Sequence, residues 1–348
     1  VKLPYVTEGL AGLGGRLRQE PEDFQVEELP AYEPAGFGEH LFLEVRCRDL
    51  ATLEFLRRAR ALLGLGPADL GVAGLKDRRA VTLQRLSLPA VAGARIGALE
   101  SLDGVLGVRL VGRHPHKLRR GHLAGNRFRI RLRGPRPGAL EQARRIAAQL
   151  ARRGWPNFYG AQRFGVRGDN ARAGEEMLRG GRLRGDRRLA GLKLSALQAE
   201  LFNEYLAGRM ARGWFERLLP GDVCAFLPRG GMFVVEDPER EEPRLRRFEI
   251  SATGPIFGYK MMAARGPAAR LEEELLARRG LAPEAFRRVR APGSRRRLRL
   301  PLEDLTIEEE QGDLIFSFCL PPGSYATVLL DEFLKEGPGV GEADLEEP

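Results

Sequence analysis

Cysteine is scarce. Cys47, Cys224 and Cys319 are the three in a chain of 348 residues, and they stand far apart with no C-x-x-C pair. A disulfide framework is therefore not expected, nor is a cysteine zinc site. Cys47 and Cys319 fall in alternating, strand-like runs and read as small core residues. Long apolar runs are also missing: none approaches the ~18 residues of a membrane-spanning helix. The N-terminus lacks the basic-then-apolar layout of a secretory signal. A cytoplasmic protein with no membrane attachment is the expectation.

Other absences narrow the chemistry. The glycine-rich stretches GLAGLGG (9–15) and GLGPADLG (64–71) do not complete G-x-G-x-x-G, and G-x-x-x-x-G-K-[ST] does not occur. No nucleotide cofactor is expected. G-x-S-x-G, the serine hydrolase elbow, is absent. The four histidines, His40, His114, His116 and His122, fit neither H-E-x-x-H nor H-x-E…C-x-x-C. Contact with RNA or with solvent suits them better than metal ligation. Between Asp103 and Glu141 there is no acid, while Arg113, Lys117, Arg119 and Arg120 all occur there. Lysine supplies six of the 57 basic residues. A bias toward GC-rich codons accounts for the arginine excess, and arginine's fit to phosphate for its placement.

What is present is a globular composition, 43% apolar, with a net charge of +10. The length suits about two domains, and the charge suits an anionic partner, nucleic acid before an acidic membrane.

Residues 22–29 begin as a strand at Phe24 and Val26. GEHLFLEVRCR (38–48) alternates Leu41, Leu43, Val45 and Cys47 against Phe42, Glu44, Arg46 and Arg48, the pattern of a half-buried antiparallel strand. A helix is expected over 51–63, stopping at Gly64, and another over 139–154. RFRIRLR (127–133) sends Phe128, Ile130 and Leu132 one way and Arg127, Arg129, Arg131 and Arg133 the other. That reads as a core face backed by a row of guanidiniums, a candidate phosphate-tracking surface. Ser195 and Gln198 suggest a capping box opening the helix LQAELFNEYL. Residues 207–300 mix short strands, turns and a charged helix near 268–279. LTIEEE and LIFSFCL suggest a hairpin across Gln311-Gly312-Asp313, followed by a helix capped by Ser324 and an acidic tail. Half-buried, hairpin-linked strands argue for an α+β fold with a mainly antiparallel sheet.

Two stretches carry candidate chemistry. In AGLKDRRAVTLQ (73–84) a lone acid, Asp77, stands among Lys76, Arg78 and Arg79. Neighbouring cations favour its ionised form, and a charged carboxylate can act as a nucleophile toward a sugar carbon. The plain alternative is a solvated turn. In NFYGAQRFG (157–165) Phe158, Tyr159 and Phe164 interleave with Gln162 and Arg163. These suit base stacking and phosphate contact, or else an aromatic turn packed into a core.

These residues resemble the TruD family of tRNA pseudouridine synthases. AGLKDRRAVTLQ is similar to that family's A-G-x-K-D-[RK]-x-A-x-T-x-Q, and NFYGAQRFG to its N-[YF]-[FY]-G-x-Q-R-F-G. PEDFQVEE, HKLRRGHLAGNRFRIRLR, LSALQAELFNEYL and LPPGSYATVLL resemble four further elements, in order from residue 21 to about 330. The resemblance implies isomerisation of uridine to pseudouridine, at uridine 13 in the D arm of tRNA, without cofactor or metal. It implies Asp77 as the catalytic carboxylate and Phe24, Lys76, Asn126 and Phe128 as active-site lining. Asn126 would orient Asp77 and Phe128 would stack on a flipped-out uracil. Arg78, Arg119, Arg120, Arg127, Arg129, Gln162 and Arg163 are the candidates for RNA contact. The fold implied is a synthase catalytic domain over 1–155 and 301–348, interrupted by a family-specific insertion domain over 156–300, acting as a monomer on tRNA. The match is weakest over 207–300. A non-catalytic RNA-binding protein of the same fold and a metal-dependent nuclease are the alternatives. The intact Lys76-Asp77 and Gly125-Asn126 contexts count against the first, and the second would need clustered acids.

Overall fold

A computed structural model describes residues 3–76, 78–180, 186–228 and 230–335. The acidic C-terminal tail and Asp77 lie outside the described residues.

The first half of the chain supplies β1 (Phe24–Pro30), β2 (His40–Arg48), β3 (Gly71–Val72), β4 (Val81–Pro89), β5 (Val105–His114) and β6 (Leu123–Leu132). The middle supplies β7 (Trp155–Pro156), β8 (Val223–Phe226), β9 (Met232–Val234), β10 (Ile250–Ile256), β11 (Ser294–Arg297) and β12 (Arg299–Leu300). The end adds β13 (Thr306–Glu310) and β14 (Asp313–Leu320). The helices are α1 (Thr52–Leu63), α2 (Ala139–Arg153), α3 (Asn170–Arg179), α4 (Arg187–Ala211), α5 (Pro238–Arg246), α6 (Gly266–Arg278), α7 (Pro283–Arg288) and α8 (Ala326–Leu334).

The large sheet runs β13-β14-β6-β1-β4-β2-β5, with β3 beside β4. Its neighbours pair antiparallel except β1 with β4, which are parallel. The fold is α+β with a mainly antiparallel sheet. One line of cross-strand partners crosses five strands: Cys47, Thr82, Val26, Phe128 and Phe318. Side chains alternate faces along a strand, so this line marks the face that carries both main cores. On it, Leu43, Val45 and Leu86 pack with Phe55, Leu56 and Ala59 of α1. Further along, Ile130, Leu132 and Phe316 pack with Ile146 and Leu150 of α2 and Leu329 and Phe333 of α8. Burial pushes the Cys47 thiol up to about 12, so it is an inert member of this core.

In the middle of the chain, β11-β10-β8-β9 form a second sheet. Leu197, Leu201 and Phe202 of α4 share a core with Ile250 and Ala252 of β10. A buried ion pair fastens α4 to the turn before β8: Arg209 donates to both carboxylate oxygens of Asp222, at 2.6 and 3.0 Å. The chain enters and leaves this unit side by side, where β7 pairs antiparallel with β12. Among the described residues no helix is long and apolar enough to cross a membrane.

Several local expectations are corrected. The helix placed after Ser195 starts earlier, as α4, with Asp186 as its cap accepting from Arg188 N at 2.8 Å. Ser195 lies inside it and donates back to Leu192 O; Gln198 reaches across to Phe257 O. Ser324 does not cap α8, whose N-cap position is Tyr325. β6 starts at Leu123, ahead of the expected run 127–133, so Phe128 sits in mid-strand.

The row of guanidiniums is not a face of one sign. Arg127 pairs with Glu27 at 2.8 Å, Arg129 and Arg131 with Glu310 at 2.7 and 2.8 Å, and Arg133 with Asp23 at 2.8 Å. The acids come from β1, from the turn before it and from the distant β13, which the local sequence cannot reveal.

Candidate active site

Where β1 and β6 run together, the alternation puts Phe24, Val26 and Glu28 on the core face, opposite Ile130, Phe128 and Asn126 in turn. Gly125 is needed for the close approach of β14: a Cβ there would lie 2.5 Å from Leu320 O. Phe128 stacks on Phe318, with ring centroids 5.3 Å apart, and meets Phe24 edge-on at 6.1 Å. The Arg18 guanidinium lies 4.0 Å above the Phe24 ring.

The loop after β3 is fixed from two sides. Lys76 N donates to Thr52 Oγ1 at 2.8 Å, and Thr52 Oγ1 donates to Gln84 Oε1 at 3.0 Å. Lys76 Nζ donates to Glu28 Oε2 at 2.9 Å, both side chains being buried. Glu28 Oε1 also accepts from Arg85 N at 3.2 Å. The residue that follows Lys76 in the chain is Asp77, so this clamp ends at its doorstep.

The 157–165 stretch is held by the second unit. Asn203 of α4 brackets the Tyr159 backbone, accepting from its N at 2.8 Å and donating to its O at 2.9 Å. Asn157 donates to Arg297 O and accepts from Arg296 Nη2. The Arg296 guanidinium covers the Tyr159 ring at 4.1 Å; burial holds its pKa below the ordinary arginine value. Gly160 lets this loop touch the segment before α8, since a Cβ would lie 2.9 Å from the Tyr325 ring. Tyr159 and Tyr325 pack edge-on at 5.9 Å.

These segments enclose a cavity of about 530 Å³. Phe24, Lys76, Asn126 and Phe128 line it, as do Arg120, Gln162 and Arg163. Residues 73–76 and 322–327 complete the wall, together with Arg18. Four cations, Arg18, Lys76, Arg120 and Arg163, line it, and no acid does among the described residues. Two buried polar atoms at its wall, Asn126 Oδ1 and Arg163 Nε, have no hydrogen-bond partner among the described residues. Buried polar atoms are normally paired, so these two leave an acceptor and a donor available at the wall. Aromatic rings beside cations suit a planar base carried on a phosphate backbone.

The remaining candidates fall elsewhere. Arg78 is exposed, with Nε 3.9 Å from Asp49 Oδ1. Arg119 is exposed and does not line the cavity. Arg127 and Arg129 alternate with Asn126 and Phe128, so they project from the opposite face of the sheet, where they meet acids. Sequence reading missed Arg18 and Glu28 as site residues. Arg18 had no local signal, while Glu28 ends the quoted PEDFQVEE stretch. No group of three or more His, Cys, Asp or Glu among the described residues could hold a metal ion.

The family model described as tRNA pseudouridine synthase D (TruD) matches residues 1–184 and 183–333. A tRNA pseudouridine synthase D of Thermus thermophilus is 46% identical over 336 residues, covering 96% of this chain and 92% of that protein. One from Anaeromyxobacter sp. is 47% identical over 349 residues, covering 98% of each. A crystal structure from Methanosarcina mazei, titled as a tRNA pseudouridine synthase D, superposes with a TM-score of 0.73 over 96% of both chains at 23% identity, a likeness of fold. Motifs, architecture and whole-length similarity converge: the chain belongs to the TruD family.

Proposed function

We propose that this chain is a tRNA pseudouridine synthase that converts uridine 13 of the D arm to pseudouridine. The observation that carries the reading is the convergence of five motif segments, spread from Phe24 to Thr327, on one cationic cavity with aromatic walls and polar atoms unpaired among the described residues. Family membership supports the reaction class, and the printed names of the relatives support tRNA as substrate.

The target uridine is flipped out of its stack, at a cost of a few kcal/mol. Stacking on Phe128 offsets part of this, base–aromatic contacts being worth ~1–3 kcal/mol. Arg120, Arg163 and Gln162 hold the flanking backbone. Asp77 is the catalytic carboxylate and Asn126 orients it. It acts either by attack at C1′ or by taking the C2′ proton to leave a glycal. In both routes the N1–C1′ bond breaks, the uracil turns within the cavity and C5 bonds to C1′. In the first route C5 displaces the Asp77 carboxylate from C1′; in the second the proton taken from C2′ is returned there as C5 adds to C1′. The proton on C5 is then lost and N1 gains one, so the product is an isomer and no redox partner is needed. Residues 1–155 and 301–348 form the catalytic unit, and 156–300 the insertion that supplies the opposite wall of the cleft. The pairing of β7 with β12 at these borders supports that division. The enzyme acts in the cytoplasm as a monomer.

The test is incubation with an unmodified tRNA transcript, then carbodiimide adduct formation and primer extension. A new stop one nucleotide 3′ of position 13 is expected. Pseudouridine at another position would overturn the site, and none in any tRNA would overturn the activity.

A further inference from the structure

All four histidines of the chain gather at one place. His40 and His114 are cross-strand partners on β2 and β5. His116 lies 6.2 Å from His114, ring to ring, and is exposed. Tyr32 joins the group from the segment after β1: its ring is 5.1 Å from His114, and its hydroxyl lies 2.8 Å from His122 Nδ1. A nearby tip, Phe37, is 66% exposed, and its segment is tied to β5 by Gly36 N donating to Arg113 O.

This cluster adjoins the cavity. His122 follows Arg120 and Gly121, both of which line the wall, and Gly121 N donates to Ala73 O at 2.8 Å. Three of its histidines, His114, His116 and His122, also lie within the acid-free stretch, between Arg113 and Arg127. We propose that the histidine cluster around Tyr32 is a proton-coupled contact surface for the RNA backbone next to the flipped nucleotide. This rests on the tRNA reading above and extends it.

The electrostatics favour coupling. Burial, then the neighbouring imidazoles of His116, His40 and His122, hold His114 below the ordinary histidine value. His114 Nδ1 also accepts from Ala35 N at 3.3 Å, a bond that protonation there would break. Tyr32 faces Arg119 and Arg85, and Arg85 holds Glu33 at 2.8 Å, so the nearby carboxylate is already matched. A phosphate arriving beside mutually repelling imidazoles reverses the balance, because an anion favours their charged form. RNA binding then takes up protons, and affinity must fall as pH rises. His116 is the exposed imidazole of the cluster.

The experiment is equilibrium binding of an unmodified tRNA transcript to Asp77→Asn protein, which is expected to bind without turnover, from about pH 6 to about pH 8 at fixed ionic strength. Affinity is expected to weaken by up to about tenfold per pH unit for each proton coupled. His116→Gln, an exposed change that spares the fold, should flatten that slope while leaving the affinity near pH 8 within about twofold. A flat response in the parent protein, or an equal slope in His116→Gln, would overturn the proton-coupled surface while leaving the RNA reading standing. No tRNA binding at any pH would overturn both.

Discussion

Lys76 Nζ donates to Glu28 Oε2 at 2.9 Å in an ion pair whose side chains are 5% and 1% exposed. The pair ties the loop that leads into Asp77 to β1, whose Glu28 lies directly across from Asn126 on β6. One salt bridge therefore sets the loop against the residue proposed to orient the catalytic acid.

Breaking it from one side leaves a buried charge without its partner, which costs about 3–5 kcal/mol. Glu28→Ala should lower unfolding free energy in a denaturant titration by an amount in that range. Replacing both partners with apolar residues of similar size should recover most of the stability. It should not recover turnover, because the loop has lost its tether. A double variant with full activity would show that the pair serves folding alone.

The two sides of β6 should behave differently toward RNA. Arg120 and Arg163 line the cavity, whereas Arg129 faces away and is matched by Glu310. Arg120→Ala and Arg163→Ala should each weaken tRNA binding and reduce the slope of log affinity against log salt by up to about 0.9. Arg129→Ala should leave both nearly unchanged. The reverse order in a salt titration would place the RNA on the other face of the sheet.

A pH effect on stability should come from α8. Asp331 borders a second cavity, of about 680 Å³, and burial, then the charge of Glu332, pushes its carboxyl up to about 7. An unfolded aspartate titrates near ~3.9. Between these values the folded state keeps a proton that the unfolded state has lost. This contribution to stability is therefore fully present below about pH 4 and is lost as pH rises through about 7. Asp331→Asn should remove that decline and be the more stable protein at about pH 8, by up to a few kcal/mol. Parallel pH profiles for the two proteins would contradict the raised value.

Regular elements were the most legible part of the sequence. The alternation of Leu41, Leu43, Val45 and Cys47 gave β2, and the apolar stripe ending at Gly64 gave α1, because each signal is local. Ser195 misled because its capping spacing recurs inside a longer helix whose true cap, Asp186, lies nine residues earlier. The arginines of β6 misled for a different reason. Glu310 and Asp313, which match Arg129 and Arg131, come from the other end of the chain and arrive beside them only through the pairing of β14 with β6. The motifs identified most of the segments that form the cavity. They did not identify Arg18, whose place above Phe24 depends on how the N-terminal segment folds back. Nor did they show Glu28 holding Lys76, a contact across 48 residues.

Asp77 is proposed to start the isomerisation of uridine in tRNA. The most direct test is tritium release from tRNA transcribed with uridine labelled at C5, with wild type and Asp77→Ala compared in EDTA, and tRNA binding measured for both. Rejoining the base through C5 expels the label. Release by wild type alone, with binding retained in the variant, is the predicted result. Release by a clean Asp77→Ala protein, or tight binding by wild type with no release from any tRNA, would contradict it.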